Sequence, residues 1–163
     1  MMNGGIFPSV HIPTLSQNLL RIPILRTILS KFSNSLFFAY SINKVLGPYT
    51  QASSSDIQDM WKLIRLEDGY RVWPHLLNYI DERFQNQQRW VNALKGSVPI
   101  HFIYGPADPV NPSPIFEQEF NRIVGEKHLS LLPIHIGHYP QLEAVHAVAT
   151  AYLSFLKTIL RFI

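Results

Sequence analysis

The stretch Val98-Pro-Ile-His-Phe-Ile-Tyr-Gly-Pro-Ala-Asp-Pro-Val110 decides how the chain folds. Its first seven residues, Val98 to Tyr104, are nearly all apolar, with β-branched and aromatic side chains, the composition of a strand buried on both faces. Gly105-Pro-Ala-Asp108-Pro-Val then reads as a turn, punctuated by glycine and proline, with one carboxylate at its tip. A second apolar run, His128 to Ile134, ends in His135-Ile-Gly-His138-Tyr-Pro-Gln-Leu-Glu143. The segment between the runs, from about Pro112 to Val124, is long enough for a helical crossover, so the spacing predicts a strand-helix-strand unit with parallel strands. Both trailing loops would leave the same sheet edge, where open parallel sheets carry their reactive groups, and would bring Asp108 and His138 together.

An acid and a histidine 30 residues apart, each just past a buried strand, follow the later part of the chain order nucleophile, acid, histidine of α/β-hydrolases. Phe102-Ile-Tyr-Gly-Pro-Ala-Asp108-Pro-Val and Gly137-His138-Tyr-Pro-Gln-Leu-Glu143 resemble the last two catalytic loops of an α/β-hydrolase in the epoxide hydrolase and haloalkane dehalogenase branch. One member of that branch is matched more specifically, at Asn3-Gly-Gly-Ile-Phe-Pro8, Gly47-Pro-Tyr-Thr50, Asp59-Met-Trp61 and Arg89-Trp90-Val as well as at the two loops. The likeness runs over nearly the whole chain and covers the C-terminal half of that family. It implies an α/β fold with a strand exit and helical cap over residues 1–96, and over 97–163 the C-terminal part of the core. The latter comprises two parallel strands, a crossover helix and a C-terminal helix. It also implies a hydrophobic small-molecule substrate, an ester, epoxide or lipid, and a place at the endoplasmic reticulum membrane, with the cytoplasm as the alternative.

The family's nucleophile lies upstream of the Asn-Gly-Gly segment. No Gly-x-Ser-x-Gly elbow occurs in the 163 residues, nor a comparable Asp set between a strand and a helix by small residues. Without such a group, acyl or alkyl transfer has no attacking atom. The expectation is therefore an incomplete hydrolase that carries an acid and a histidine and is inactive by itself. Some haloalkane dehalogenase relatives hold the triad acid where this chain has Asn3, which cannot serve as a carboxylate and leaves Asp108 as the candidate.

Chemistry supports the same pair. An imidazole can deprotonate water or a nucleophile, and a carboxylate behind it fixes the tautomer and stabilises the imidazolium. The bland alternatives are an Asp-Pro turn residue bonding its own backbone and a histidine at a helix entry before Pro140. Glu143 reads as support for the first turn of the last helix, where negative charge is favourable. The seven histidines are scattered; His135 and His138 near Glu143 form the nearest approach to a metal set, but Gly137 and Pro140 do not suit a helical ligand pair. No cofactor or metal is expected.

Composition sets the remaining bounds. At 47% hydrophobic residues the chain can build a core, and only 15% are charged. The absence of cysteine excludes disulfides, thiol catalysis and thiolate metal sites. The net charge of +3 is uneven: the first 55 residues hold Arg21, Arg26, Lys31 and Lys44 and no acid. That suits a transit peptide, a helix pair at an anionic membrane surface, or a hydrolase lid, and the resemblance favours the lid. No run reaches the roughly 18 to 20 apolar residues of a spanning helix. Residues 81–89 mix both signs without a Lys/Arg stripe, which disfavours nucleic-acid binding.

Helical spacing marks the first half. Thr14 and Ser53 are N-cap candidates, Pro23 opens a further helix, and Leu25, Ile28, Leu29 and Phe32 share one face with Leu36, Phe37 and Tyr40 following. The periodicity favours lid core over a substrate tunnel for these side chains. A long helix is expected over about 72–94 and a last one over 144–163.

Overall fold

The computed structural model describes residues 1–160. It is mostly helical around a small parallel sheet, an α/β arrangement. In chain order come α1 (Leu15–Arg21), α2 (Pro23–Phe32), α3 (Ser35–Asn43), α4 (Ser54–Arg65), two 3-10 helices (Leu66–Arg71 and Trp73–Asn78) and α5 (Tyr79–Ala93). These are followed by β1 (Phe102–Tyr104), α6 (Ile115–Ile123), a third 3-10 helix (Glu126–His128), β2 (Leu129–Leu131), the short α7 (Pro140–Glu143) and α8 (Val145–Leu160). The last three residues of the expected final helix, 161–163, lie outside the described residues.

The caps form where the sequence marks them. Thr14 and Ser53 each accept from the third residue of their helix, while Gln17 and Asp56 reach back to the cap N–H, so both α1 and α4 open with a capping box. Pro23 stands at the first position of α2, where its missing N–H costs nothing. The expected helix over 72–94 is instead split. A 3-10 helix with Pro74 in its first turn occupies Trp73–Asn78, and regular helix starts only at Tyr79.

β1 and β2 pair in parallel, Phe102 with Leu129, Ile103 with Ser130 and Tyr104 with Leu131, with α6 as the crossover. Both strands are shorter than the apolar runs. Pro99 and Pro133 lack ladder donors and bracket the paired part. On the other edge of β1, Met2 bridges Ile103 in parallel, with Ile103 N–H donating to Met1 O at 2.8 Å. The first residues thus extend the sheet and bring Asn3 to the same edge as the loops after β1 and β2.

The main core is aromatic. Phe7, Val10, Phe102, Tyr104, Phe116 and Phe120 are buried together, with ring centroids 4.8 to 6.4 Å apart. Each such side chain contributes roughly 1.5–3 kcal/mol through burial. On the opposite face of β1, Ile103, Leu132 and Ile136 pack against α8. β1 is fully buried, as its composition predicts; β2 is not, and Leu131 is exposed. The stripe on α2 and α3 also departs from expectation. Ile28, Phe32, Leu36, Phe37 and Tyr40 lie exposed, because among the described residues no element covers that side of the helices.

Candidate active site

The loop after β1 and the loop after β2 touch at their glycines. A Cβ on Gly105 would meet the carbonyl oxygens of Gly137 and Ile136 at 2.5 and 2.7 Å, so only glycine permits the approach. Ala107 N–H donates to Ile136 O at 2.8 Å across the same gap. Asn3 fastens the seam: its side-chain amide donates to Gly105 O at 3.1 Å and Gly137 O at 3.0 Å, and its Oδ1 accepts from Gly105 N–H at 2.9 Å. Asn3 is buried and has φ 30°, a left-handed conformation that asparagine tolerates better than most residues.

Asp108 and His138 meet above this seam. His138 Nδ1 lies 2.8 Å from Asp108 Oδ2. A carboxylate oxygen only accepts, so Nδ1 carries the hydrogen, and in the neutral ring the lone pair is on Nε2. Oδ2 also accepts from Asn111 Nδ2 at 3.0 Å and from Asn3 Nδ2 at 3.1 Å, the two Asn3 N–H groups being shared among this oxygen and the two glycine carbonyls, and Oδ1 accepts from Val110 N–H at 2.8 Å. The Asp108 side chain is 0% exposed and that of His138 is 21% exposed, so the acid is sealed while the imidazole keeps an open edge. A buried carboxylate with four donors is fully hydrogen-bonded, as a buried charge must be.

Glu143 does something other than the expected helix support. It ends α7, and its carboxylate accepts from Gly137 N–H and Tyr139 N–H, at 2.8 and 2.9 Å, on either side of His138. It also accepts from Gly47 N–H at 2.8 Å and from the Thr50 hydroxyl. His138 N–H itself donates to Val45 O at 2.9 Å. The segment joining α3 to α4 is therefore tied to the histidine loop through the Glu143 carboxylate and one backbone bond. Helix-terminal charge is the weaker attraction here, because direct N–H donors lie within reach.

Two contributors escape sequence reasoning. Asn111 donates to Asp108 Oδ2 and to Asn3 O, and its own carbonyl accepts from the buried Tyr104 hydroxyl at 2.6 Å. Burial pushes the Tyr104 hydroxyl pKa up, followed by the Asp108 charge, which keeps it a donor. Asn3 is visible in sequence only as a residue unable to replace an acid. The signal available for both was an asparagine flanking an apolar core segment, a pattern that ordinary turns share.

An acid sealed behind an imidazole at the carboxyl edge of parallel strands is the arrangement of acid-histidine catalysis in α/β enzymes. The chain is 43% identical over 160 residues, 97% of its length, to the mesoderm-specific transcript protein of Mus musculus, and 44% identical over the same share to the homolog protein of Homo sapiens. It is a relative of these proteins and matches their C-terminal half. A protein named putative hydrolase LipZ, from Mycobacterium tuberculosis, is 33% identical over 142 residues, 86% of this chain. The chain spans about half, 48%, of the length of each of these relatives. No family model and no solved structure matches. No helix among the described residues is long and apolar enough to cross a membrane.

Proposed function

We propose that Asp108 and His138 are the acid and base of an α/β-hydrolase apparatus, with residues 1–96 as strand exit and cap and 97–163 as the C-terminal part of the core. The 2.8 Å contact between His138 Nδ1 and the sealed Asp108 carboxylate carries this reading. In it, His138 Nε2 takes a proton from water as that water attacks a covalent intermediate, and Asp108 stabilises the imidazolium so formed. The nucleophile comes from a segment outside these 163 residues. The exposed apolar side chains of α2 and α3 support a hydrophobic small-molecule substrate, an ester, epoxide or lipid.

Complementation tests the reading. The chain supplied with the N-terminal half of the mouse relative is expected to hydrolyse ester or epoxide substrates, and His138→Ala is expected to lower the rate by about 100-fold or more. Hydrolysis by the complemented protein that His138→Ala leaves untouched would contradict the assigned roles.

A second reading rests on the acid-free first 55 residues and on Ile24, Ile28 and Phe32, exposed on α2 beside Arg26 and Lys31. In it, the chain is a non-catalytic binding or regulatory module whose surface engages a partner chain or an anionic membrane such as that of the endoplasmic reticulum. Flotation with anionic liposomes at low salt is the test, and failure to float rules out the membrane form of this reading.

A further inference from the structure

Arg83 on α5 is the cation the site chemistry above leaves unused. Its guanidinium carbon sits 4.0 Å over the Tyr79 ring, and its Nη1 is buried without a hydrogen-bond partner. Among the described residues no carboxylate pairs with it, whereas Arg21, Arg71 and Arg122 pair with Asp81, Asp68 and Glu119. Burial holds the Arg83 pKa below its ordinary value. A half-buried guanidinium whose Nη1 lacks an acceptor, with the Tyr79 side chain as its nearest polar neighbour, is costly unless something anionic completes it.

His11 stands beside it. Both ring nitrogens are buried and unpartnered, and the ring packs edge-on against the same Tyr79, with centroids 6.4 Å apart. A Cβ on Gly5 would collide with both Arg83 Nη1 and His11 Nδ1, so the two groups converge on one bare stretch of backbone. The His11 pKa is lowered to about 4, first by burial and then by the Arg83 charge, with the Asn111 side chain opposing. The cluster adjoins the candidate pair through Asn111, which donates to Asp108 and lies beside His11 with its own Oδ1 buried and unpartnered.

We infer that Arg83 and His11 form a subsite for one anionic group, a carboxylate or a phosphate, on the ligand that approaches His138. This names a substrate class for the site of the preceding subsection and rests on that reading for its catalytic meaning, though not for binding. The guanidinium supplies paired donors of the geometry that carboxylate and phosphate oxygens accept. His11 is neutral in the free protein, with Arg83, Tyr79, Asn111, Asp108 and His138 around it. A bound anion offsets the Arg83 charge and favours protonation of His11, which can then donate to Asn111 Oδ1 and to the anion together. Substrate with a charged group would be oriented from α5 while its apolar part lies along the cap.

Calorimetric titration of the 163-residue chain with decanoate, decyl phosphate and decanol tests this, alongside the His11 imidazole titration followed by NMR. At least one anionic probe is expected to bind about tenfold or more tightly than decanol. Arg83→Gln should abolish that preference, Arg83→Lys should keep part of it, and the His11 titration should move upward in the wild-type complex. Whichever anion wins identifies the group. Equal binding of charged and uncharged probes, or a preference unchanged in Arg83→Gln, overturns the subsite. If the variants do not fold, a wild-type His11 titration unmoved by both anions overturns it equally. No turnover is read, so an inactive complemented protein that still prefers decanoate refutes only the hydrolytic reading.

Discussion

Asn3 lies 105 residues before Asp108 and shares a hydrogen bond with it, while binding both glycine carbonyls of the seam. Asn3→Ala leaves those acceptors and the Gly105 N–H with fewer partners in a buried setting, so a loss of about 2–4 kcal/mol in urea unfolding is expected. Asn3→Asp should be no milder, since a carboxylate there would face the Asp108 carboxylate and two carbonyls. A change under about 0.5 kcal/mol on Asn3→Ala would contradict the role of the seam. His11 yields a second prediction. Its folded pKa of about 4 lies below the ordinary 6.5, so between those values the unfolded chain binds a proton that the folded chain refuses. Stability should therefore fall as pH drops from 6.5 toward 4, and His11→Gln should flatten that limb in equilibrium unfolding measured across the window. Asp108 and His138 were legible in the sequence because strand composition and turn punctuation place them. Asn3, Asn111, His11 and Arg83 were not, since their meaning depends on distant partners that no local pattern encodes.

The element scale belongs to Glu143 and the segment between α3 and α4. One carboxylate gathers three backbone N–H groups and a hydroxyl, and so holds the base of the helical layer against the histidine loop. Glu143→Gln keeps the shape but weakens these charge-assisted bonds, and a loss of about 1–2 kcal/mol is expected. Hydrogen exchange should show the Gly47, Gly137 and Tyr139 amides opening faster in the variant, while the α6 amides stay protected. Uniform acceleration would mean that Glu143 acts on global stability alone. Here the sequence was partly readable. The capping boxes of α1 and α4 were plain, but a 3-10 segment over Trp73–Asn78 interrupts the expected helix over 72–94, and a hydrophobic period does not report such a change.

At the scale of the molecule, two parallel strands with a crossover helix followed directly from the apolar runs, because buried strands and their turns are written locally. The burial of the rest did not follow. Leu131 and Ile134 around β2, Tyr152 and Leu153 on α8, and Phe32, Leu36 and Phe37 on the helical side remain exposed, and amphipathic spacing says which face is apolar but not whether anything covers it. That pattern agrees with a chain spanning about half the length of its relatives. What the chain does assemble by itself is one pairing, of an acid and an imidazole carried by adjacent strands. Nitrogen-15 NMR of the His138 ring reads it most directly. The account predicts a hydrogen on Nδ1 in the neutral ring and its loss from that position in Asp108→Ala. A ring protonated at Nε2, and indifferent to Asp108→Ala, would contradict it.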